Sequence, residues 1–138
     1  MRIMAFDYGT KRIGIAVTDP LQIIATALTT IHPNEIISFL KQYLTSESVE
    51  KFIVGKPLRM DGSDSQSAPH VKGFIRSLKK NFPEIPVVTI DERFTSKMAS
   101  SVIAQSGMGK GKRQEKSLVD KVSAVIILQS YMESSYLH

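Results

Sequence analysis

The sequence predicts an α/β fold: a mixed five-stranded sheet, three antiparallel strands followed by a βαβα alternation, with helices on both faces. Three observations carry this. Two short aliphatic runs joined by a glycine-containing link open the chain, as in an antiparallel hairpin. Later runs such as Phe52-Ile53-Val54 are continuously apolar and suit strands buried on both faces. Between and after those runs the apolar residues recur at helical spacing. At 138 residues there is room for one domain, and folding at this size hides roughly 68% of the surface of the unfolded chain.

The elements follow in order. Arg2 to Asp7 and Arg12 to Thr18 are strands separated by Tyr8-Gly9-Thr10-Lys11. Ala25 to Ile31, rich in Thr and aliphatics, supplies a third strand. Pro33 breaks that run, and Asn34 is placed to cap a helix through Ile36, Ile37, Leu40 and Leu44 that ends near Ser48. The buried strand Phe52 to Val54 is closed by Gly55, and the polar, turn-rich Lys56 to Ser67 follows as a loop of the kind that carries function. Val71, Phe74, Ile75, Leu78 and Phe82 form the apolar face of a second helix, with Lys72, Arg76, Lys79 and Lys80 on its solvent side. Pro83 and Pro86 bracket a turn into the strand Val87 to Ile90, and a third helix is expected near Lys97 to Gln105. Gly107, Gly109 and Gly111 alternate with Met108, Lys110 and Lys112 in a loop. The last helix, roughly Ser117 to Ser134, is expected to pack through Leu118, Val122, Val125, Ile126 and Gln129. This order of elements is that of the ribonuclease H-like fold, filling residues 1–138 as a single domain.

Composition narrows the function. No Cys rules out disulfide and Cys-zinc frameworks. The longest unbroken apolar stretch, Ala124 to Leu128, falls far short of the ~20 residues of a membrane-spanning helix. Asp7 interrupts the place where a signal peptide would carry its apolar run, so a cytoplasmic protein with no membrane partner is expected. Eighteen Lys and Arg against thirteen Asp and Glu give a net charge of +5, which favours a polyanionic partner, nucleic acid. From Lys97 to Lys121 there are six basic residues against two acidic ones, a concentration in one stretch.

Three acids stand among aliphatic residues: Asp7 at the end of the first strand, Glu92 just past the strand ending at Ile90, and Asp120 early in the last helix. Each alone has an ordinary explanation: a turn residue for Asp7, a partner of Arg93 for Glu92, an ion pair with Lys116 or Lys121 for Asp120. The fold brings the three elements side by side, and converging carboxylates repel unless a cation neutralises them. Oxygen ligands, no Cys and three scattered histidines (His32, His70, His138) favour a hard ion, Mg2+ or Mn2+, over zinc. The reaction such a cluster serves is phosphodiester hydrolysis with paired metal ions. Lys11 and Arg12 beside Asp7, and Lys110, Lys112, Arg113 and Lys116 near Asp120, are placed for phosphate contacts, with Arg93 next to Glu92. Ten aromatic residues, none of them Trp and none interleaved with the cations, give no stacking platform for single strands.

Four blocks then carry a resemblance: Asp7-Tyr8-Gly9-Thr10-Lys11-Arg12-Ile13-Gly14-Ile15-Ala16, Gly55-Lys56-Pro57-Leu58 with Met60-Asp61-Gly62-Ser63, Asp91-Glu92-Arg93-Phe94-Thr95-Ser96, and Val119-Asp120-Lys121. In this order, across nearly the whole chain, they resemble the YqgF/RuvX family. The resemblance implies a ribonuclease H-like nuclease with Asp7, Glu92 and Asp120 as catalytic acids, the same three that the physical argument selects. It implies structured RNA as partner, in maturation of the 5′ end of pre-16S ribosomal RNA, or branched DNA, as in Holliday junction resolvases, acting as a monomer or homodimer. Two residues depart from the family pattern: Lys56, where an apolar or small residue is usual, offers a further phosphate contact, and Ser123, where Ala is common, is expected to alter packing only slightly. Two other readings compete. One is a nucleic-acid-binding module without catalysis, against which the complete acidic triad speaks. The other comes from Asp7-Tyr8-Gly9-Thr10, which also resembles the phosphate-binding hairpin of actin-like ATPases; those enclose nucleotide between two such domains, and this length supplies one.

Overall fold

The computed structural model describes residues 1–9, 11–56, 68–91 and 116–136. Strands β1 (Arg2–Tyr8), β2 (Ile13–Thr18) and β3 (Ala25–Ile31) are followed by a 3-10 turn (Pro33–Glu35), α1 (Ile36–Ser46), β4 (Val49–Lys56), α2 (Ala68–Asn81), β5 (Val87–Asp91) and α3 (Lys116–Tyr136). The sheet order is β3-β2-β1-β4-β5. The β1–β2 and β2–β3 pairs are antiparallel, and the β1–β4 and β4–β5 pairs parallel. The expected helix at 97–105 and the glycine-rich loop at 107–113 lie outside the described residues. Among the described residues no helix is long and apolar enough to cross a membrane.

Two local expectations change. Asn34 does not cap α1: His32 Nδ1 accepts the Asn34 N–H at 3.1 Å, and Pro33 opens the 3-10 turn that leads into the helix. Proline's fixed φ suits the first helical position, which shifts the cap one residue upstream of it. Strand β4 runs from Val49 instead of Phe52, because β1 pairs with it from Arg2↔Val49 onward and supplies hydrogen bonds that the polar Glu50 and Lys51 could not predict.

Side-chain alternation divides the core. Met4, Phe6, Phe52 and Val54 face α1 and α2, where they pack with Leu40, Val71, Phe74 and Leu78. Phe6 meets Phe52 and Phe74 edge-on at 5.5 and 5.3 Å, Tyr8 stacks on Phe74 at 4.9 Å, and Phe52 meets Phe82 at 5.8 Å. Those contacts orient α2: its middle, at Phe74, lies beside Tyr8 at the end of β1, and the chain just past its last residue, at Phe82, lies beside Phe52 of β4. Ile3, Ala5, Ala16 and Ile53 face the other way, against Ala124, Ile127 and Leu128 of α3.

The packing face of α3 is wider than the expected one. Ile126 is buried and Val125 packs against the core as expected, but Gln129 is exposed and Ser123, Ala124, Ile127 and Leu128 are buried as well. Five consecutive apolar residues leave periodicity no single face to choose, and the small Ala5 and Ala16 let the helix settle through Ala124 and Ile127. Ser123 is wholly buried and its Oγ has no hydrogen-bond partner among the described residues, so the departure from alanine is more than a slight packing change.

The β2–β3 connection is held by Asp19, whose carboxylate accepts the backbone N–H groups of Leu21, Ile23 and Ile24 at 3.2, 2.7 and 2.8 Å. The Ile24 bond does most to hold the Asp19 carboxyl below its usual value of 3.8, against partial desolvation and with help from the other N–H groups.

Candidate active site

Because β1, β4 and β5 are parallel, their carboxyl ends share one edge of the sheet. Phe6 pairs with Val54, Gly55 with Ile90, and Lys56 with Asp91, so the next step of the register sets Asp7 level with Gly55 and Ile90. Glu92 is the residue after β5 and lies outside the described residues, as do Arg93, Lys110, Lys112 and Arg113.

Asp7 continues the Ile3, Ala5 alternation, so it belongs to the sheet face that α3 covers. It is half-buried. Its partner across the antiparallel pair is Gly14, which brings no side chain to compete for the space beside the carboxylate. A charge at the end of an apolar strand face is costly unless donors or cations compensate. The chain supplies cations close by in Lys11, which is exposed, and Arg12, which is half-buried.

The hairpin that presents them is tight. Gly9 N–H donates to Arg12 O at 2.8 Å, and a β-carbon built on Gly9 would stand 2.7 Å from that same carbonyl oxygen. Glycine is required there by close approach, a signal the sequence carries only as a glycine in a turn.

Helix α3 reaches this edge with its first turns. Near its other end the Tyr131 hydroxyl accepts from Lys51 Nζ at 2.6 Å, and Lys51 pairs with Ile3 at the start of β1. Ile23, Ile24 and Ala25 share a cleft with Gln129 and Met132 at that same far edge. The helix therefore runs opposite to β1. From position 131 back to 120 is about 16 Å of helix, and from Ile3 to Asp7 about 13 Å of strand. Position 120 thus comes level with Asp7. At 100° per residue it also falls within about 20° of Ile127 and 40° of Ala124, on the face that meets the sheet. Lys116 is the first residue of α3, at the same edge.

The described residues thus gather Asp7, Lys11, Arg12, Lys56 and the backbone of positions 116 and 120 at one edge. Among the described residues no three His, Cys, Asp or Glu side chains form a metal-binding group. The donor described there, the Asp7 carboxylate, in a chain without a thiol, suits a hard divalent cation. Sequence reasoning missed Gly14 as the opening beside Asp7; a glycine in mid-strand was its signal.

A family model described as RuvX, Holliday junction resolvase, matches residues 1–134. The chain belongs to the RuvX family. Curated members resemble it over nearly their full length. One from Christiangramia forsetii is 51% identical over 131 residues, 95% of this chain and 97% of that protein. One from Porphyromonas gingivalis is 50% identical over 133 residues, 96% of each. Both bear the name "Putative pre-16S rRNA nuclease". Among solved structures, fowlpox virus resolvase in complex with Holliday junction DNA superposes with a TM-score of 0.60 at 19% identity, covering 98% of this chain and 99% of that one. Thermus thermophilus RuvC with a Holliday junction substrate gives 0.56 at 13% identity, covering 98% and 96%. At such identities the likeness is one of fold, and it makes the RuvX-family sheet a ribonuclease H-like one.

Proposed function

We propose that this RuvX-family chain is a metal-dependent endonuclease that hydrolyses phosphodiester bonds in the 5′-end maturation of pre-16S ribosomal RNA. The observation that supports the reading is Asp7 on the α3 face of β1 at the carboxyl edge, the edge to which the first turns of α3 run. By sequence, Glu92 directly follows β5, which is separated from β1 by β4, and Asp120 lies in the first turns of α3. The names borne by the family's curated members support RNA as the substrate.

Asp7, Glu92 and Asp120 would hold Mg2+ or Mn2+, the catalytic acids acting as its ligands. When bound, such a cation makes water a stronger nucleophile and neutralises charge on the leaving oxygen. The chain's own part is positional. Asp7 sits on a strand held between β2 and β4, so its backbone is in place before substrate arrives, which is what positioning needs. Gly14 keeps the neighbouring space clear. Lys11, Arg12, Arg93, Lys110, Lys112, Arg113 and Lys116 hold the phosphodiester backbone on either side of the acids. The reading takes residues 1–138 as one nuclease domain working in the cytoplasm, where pre-ribosomal RNA is found.

Cleavage of a labelled pre-16S leader RNA beside a four-way DNA junction, with Mg2+, Mn2+ or EDTA, tests this. Asp7→Asn should abolish metal-dependent RNA cleavage while leaving the fold and RNA binding intact; cleavage retained in that variant sinks the mechanism. The family description and the resolvase-like fold favour a second reading, junction resolution. A two-fold symmetric substrate cut in pairs demands a homodimer, so symmetric junction cutting by a dimer would establish it, and a strictly monomeric protein in sedimentation would count against it.

A further inference from the structure

The solvent side of α2 is a separate surface that the proposed reaction does not use. The helix carries Lys72, Arg76, Lys79 and Lys80 and not one acid. All four are exposed, and at 100° per residue they lie within about 100° of arc, away from the buried Val71, Phe74 and Leu78. A helix face serving solubility alone intersperses both signs, with i,i+4 partners of opposite charge. This face holds one sign only.

Gly73 borders the same sector, and a β-carbon built on it would meet nothing within 4 Å. Inside a helix glycine is less favourable than alanine, and it is retained where a ligand or another backbone comes close. Among the described residues, leaving aside its chain neighbours and the helix's own backbone, no atom comes within 4 Å of that β-carbon.

The direction of the helix gives this surface its sense. Because Phe74 stacks on Tyr8 and Phe82 meets Phe52, α2 starts at the carboxyl edge and leads away from it. From Lys72 to Lys80 is about 12 Å along the axis, enough for the four cations to follow several phosphates of one strand.

We infer that α2 is a backbone track for the RNA substrate outside the cut site: Lys72, Arg76, Lys79 and Lys80 contact successive phosphates of a duplex arm, with Gly73 letting the strand approach. The inference rests on the proposed RNA nuclease activity and names the surface that positions its substrate. Such contacts fix register and carry no sequence information.

The test is binding of a fluorescein-labelled duplex arm of the pre-16S leader, read by anisotropy in EDTA across a salt series, so that catalysis is not needed. For a variant combining Lys72→Gln, Arg76→Gln, Lys79→Gln and Lys80→Gln, the slope of log K against log salt should flatten by about 3.6, at about 0.9 for each phosphate no longer neutralised. Its deficit relative to the wild type should then shrink about a hundredfold between about 50 and 200 mM salt. Glutamine is a good helix former, so circular dichroism should show an intact fold. Gly73→Glu and Gly73→Gln have the same shape and open space to occupy; the first should weaken binding several-fold more than the second. A wild-type slope and affinity in the quadruple variant, or equal binding by the two Gly73 variants, overturns the track while leaving the nuclease reading in place. A flattened slope in a protein that cleaves no RNA with Mg2+ upholds the track and overturns the nuclease reading.

Discussion

Replacing Gly9 by alanine places a methyl group 2.7 Å from the Arg12 carbonyl oxygen, 0.7 Å short of the 3.4 Å at which ordinary contact begins. The obstacle is backbone, so no rotamer relieves it. If the hairpin opens by that 0.7 Å, the Gly9 N–H to Arg12 O bond stretches from 2.8 to 3.5 Å and ceases to be a good hydrogen bond. Losing it costs about 1 kcal/mol. Residual strain adds up to about 2 kcal/mol more, the middle of the range for overpacking, because the turn is at the surface and part of the strain relaxes. A loss of about 1–3 kcal/mol is therefore expected in urea denaturation. The functional effect should be larger than the stability effect suggests. Asp7 is two residues before Gly9 and Lys11 and Arg12 lie in the turn, and misplacing reacting groups by about 1 Å costs on the order of a hundredfold in rate. Single-turnover cleavage of pre-16S leader RNA should fall about 10- to 100-fold in a protein that remains folded at 25 °C. Wild-type stability together with wild-type cleavage would refute the close-approach argument.

Ser123→Ala removes a buried hydroxyl that has no partner among the described residues and should raise stability by about 1–2 kcal/mol, seen as a higher urea midpoint at unchanged m-value. Thr18→Val keeps the shape of the side chain but takes away the acceptor of the buried Ile3 N–H, 2.9 Å from Thr18 Oγ1; a loss of about 1–3 kcal/mol is expected by the same measurement. Asp19, held below its usual 3.8 by the N–H groups of the β2–β3 connection, contributes stability that is complete above that value and disappears as pH falls through the lower folded-state value. The stability difference between wild type and Asp19→Asn should therefore be constant near neutral pH and shrink in acid denaturation below about pH 4; a difference independent of pH would refute it.

The strands and the sheet face of Asp7 were legible because both depend on short-range pattern. Alternation along Arg2–Tyr8 separates Ile3, Ala5 and Asp7 from Met4, Phe6 and Tyr8 whatever the rest of the chain does, since successive side chains point to opposite faces. The continuous apolar run of β4 announced a strand covered on both sides, and Pro33 announced the end of β3; the same reading of β5 went too far, because β5 is the edge strand, with Thr89 exposed and Val87, Val88 and Ile90 only half-buried. The length of β4 was not legible, because pairing with β1 and not its own residues extends it back to Val49. Nor was the cap of the turn before α1, where His32 acts in place of Asn34.

The sequence by itself determined the order of elements, the alternation that makes Asp7 the last residue of one sheet face, and the one-signed solvent side of α2. The tertiary structure decided which helix covers which face, the direction of α3, and the rotation that turns position 120 toward the sheet. The physical reason is the range of the interactions. Alternation, helical spacing and turn chemistry are set by neighbours a few residues apart, whereas the seating of Ala124 and Ile127 over Ala5 and Ala16 depends on shapes more than a hundred residues apart in the chain. A run of five apolar residues in α3 leaves that seating open until the small side chains of β1 and β2 are beneath it.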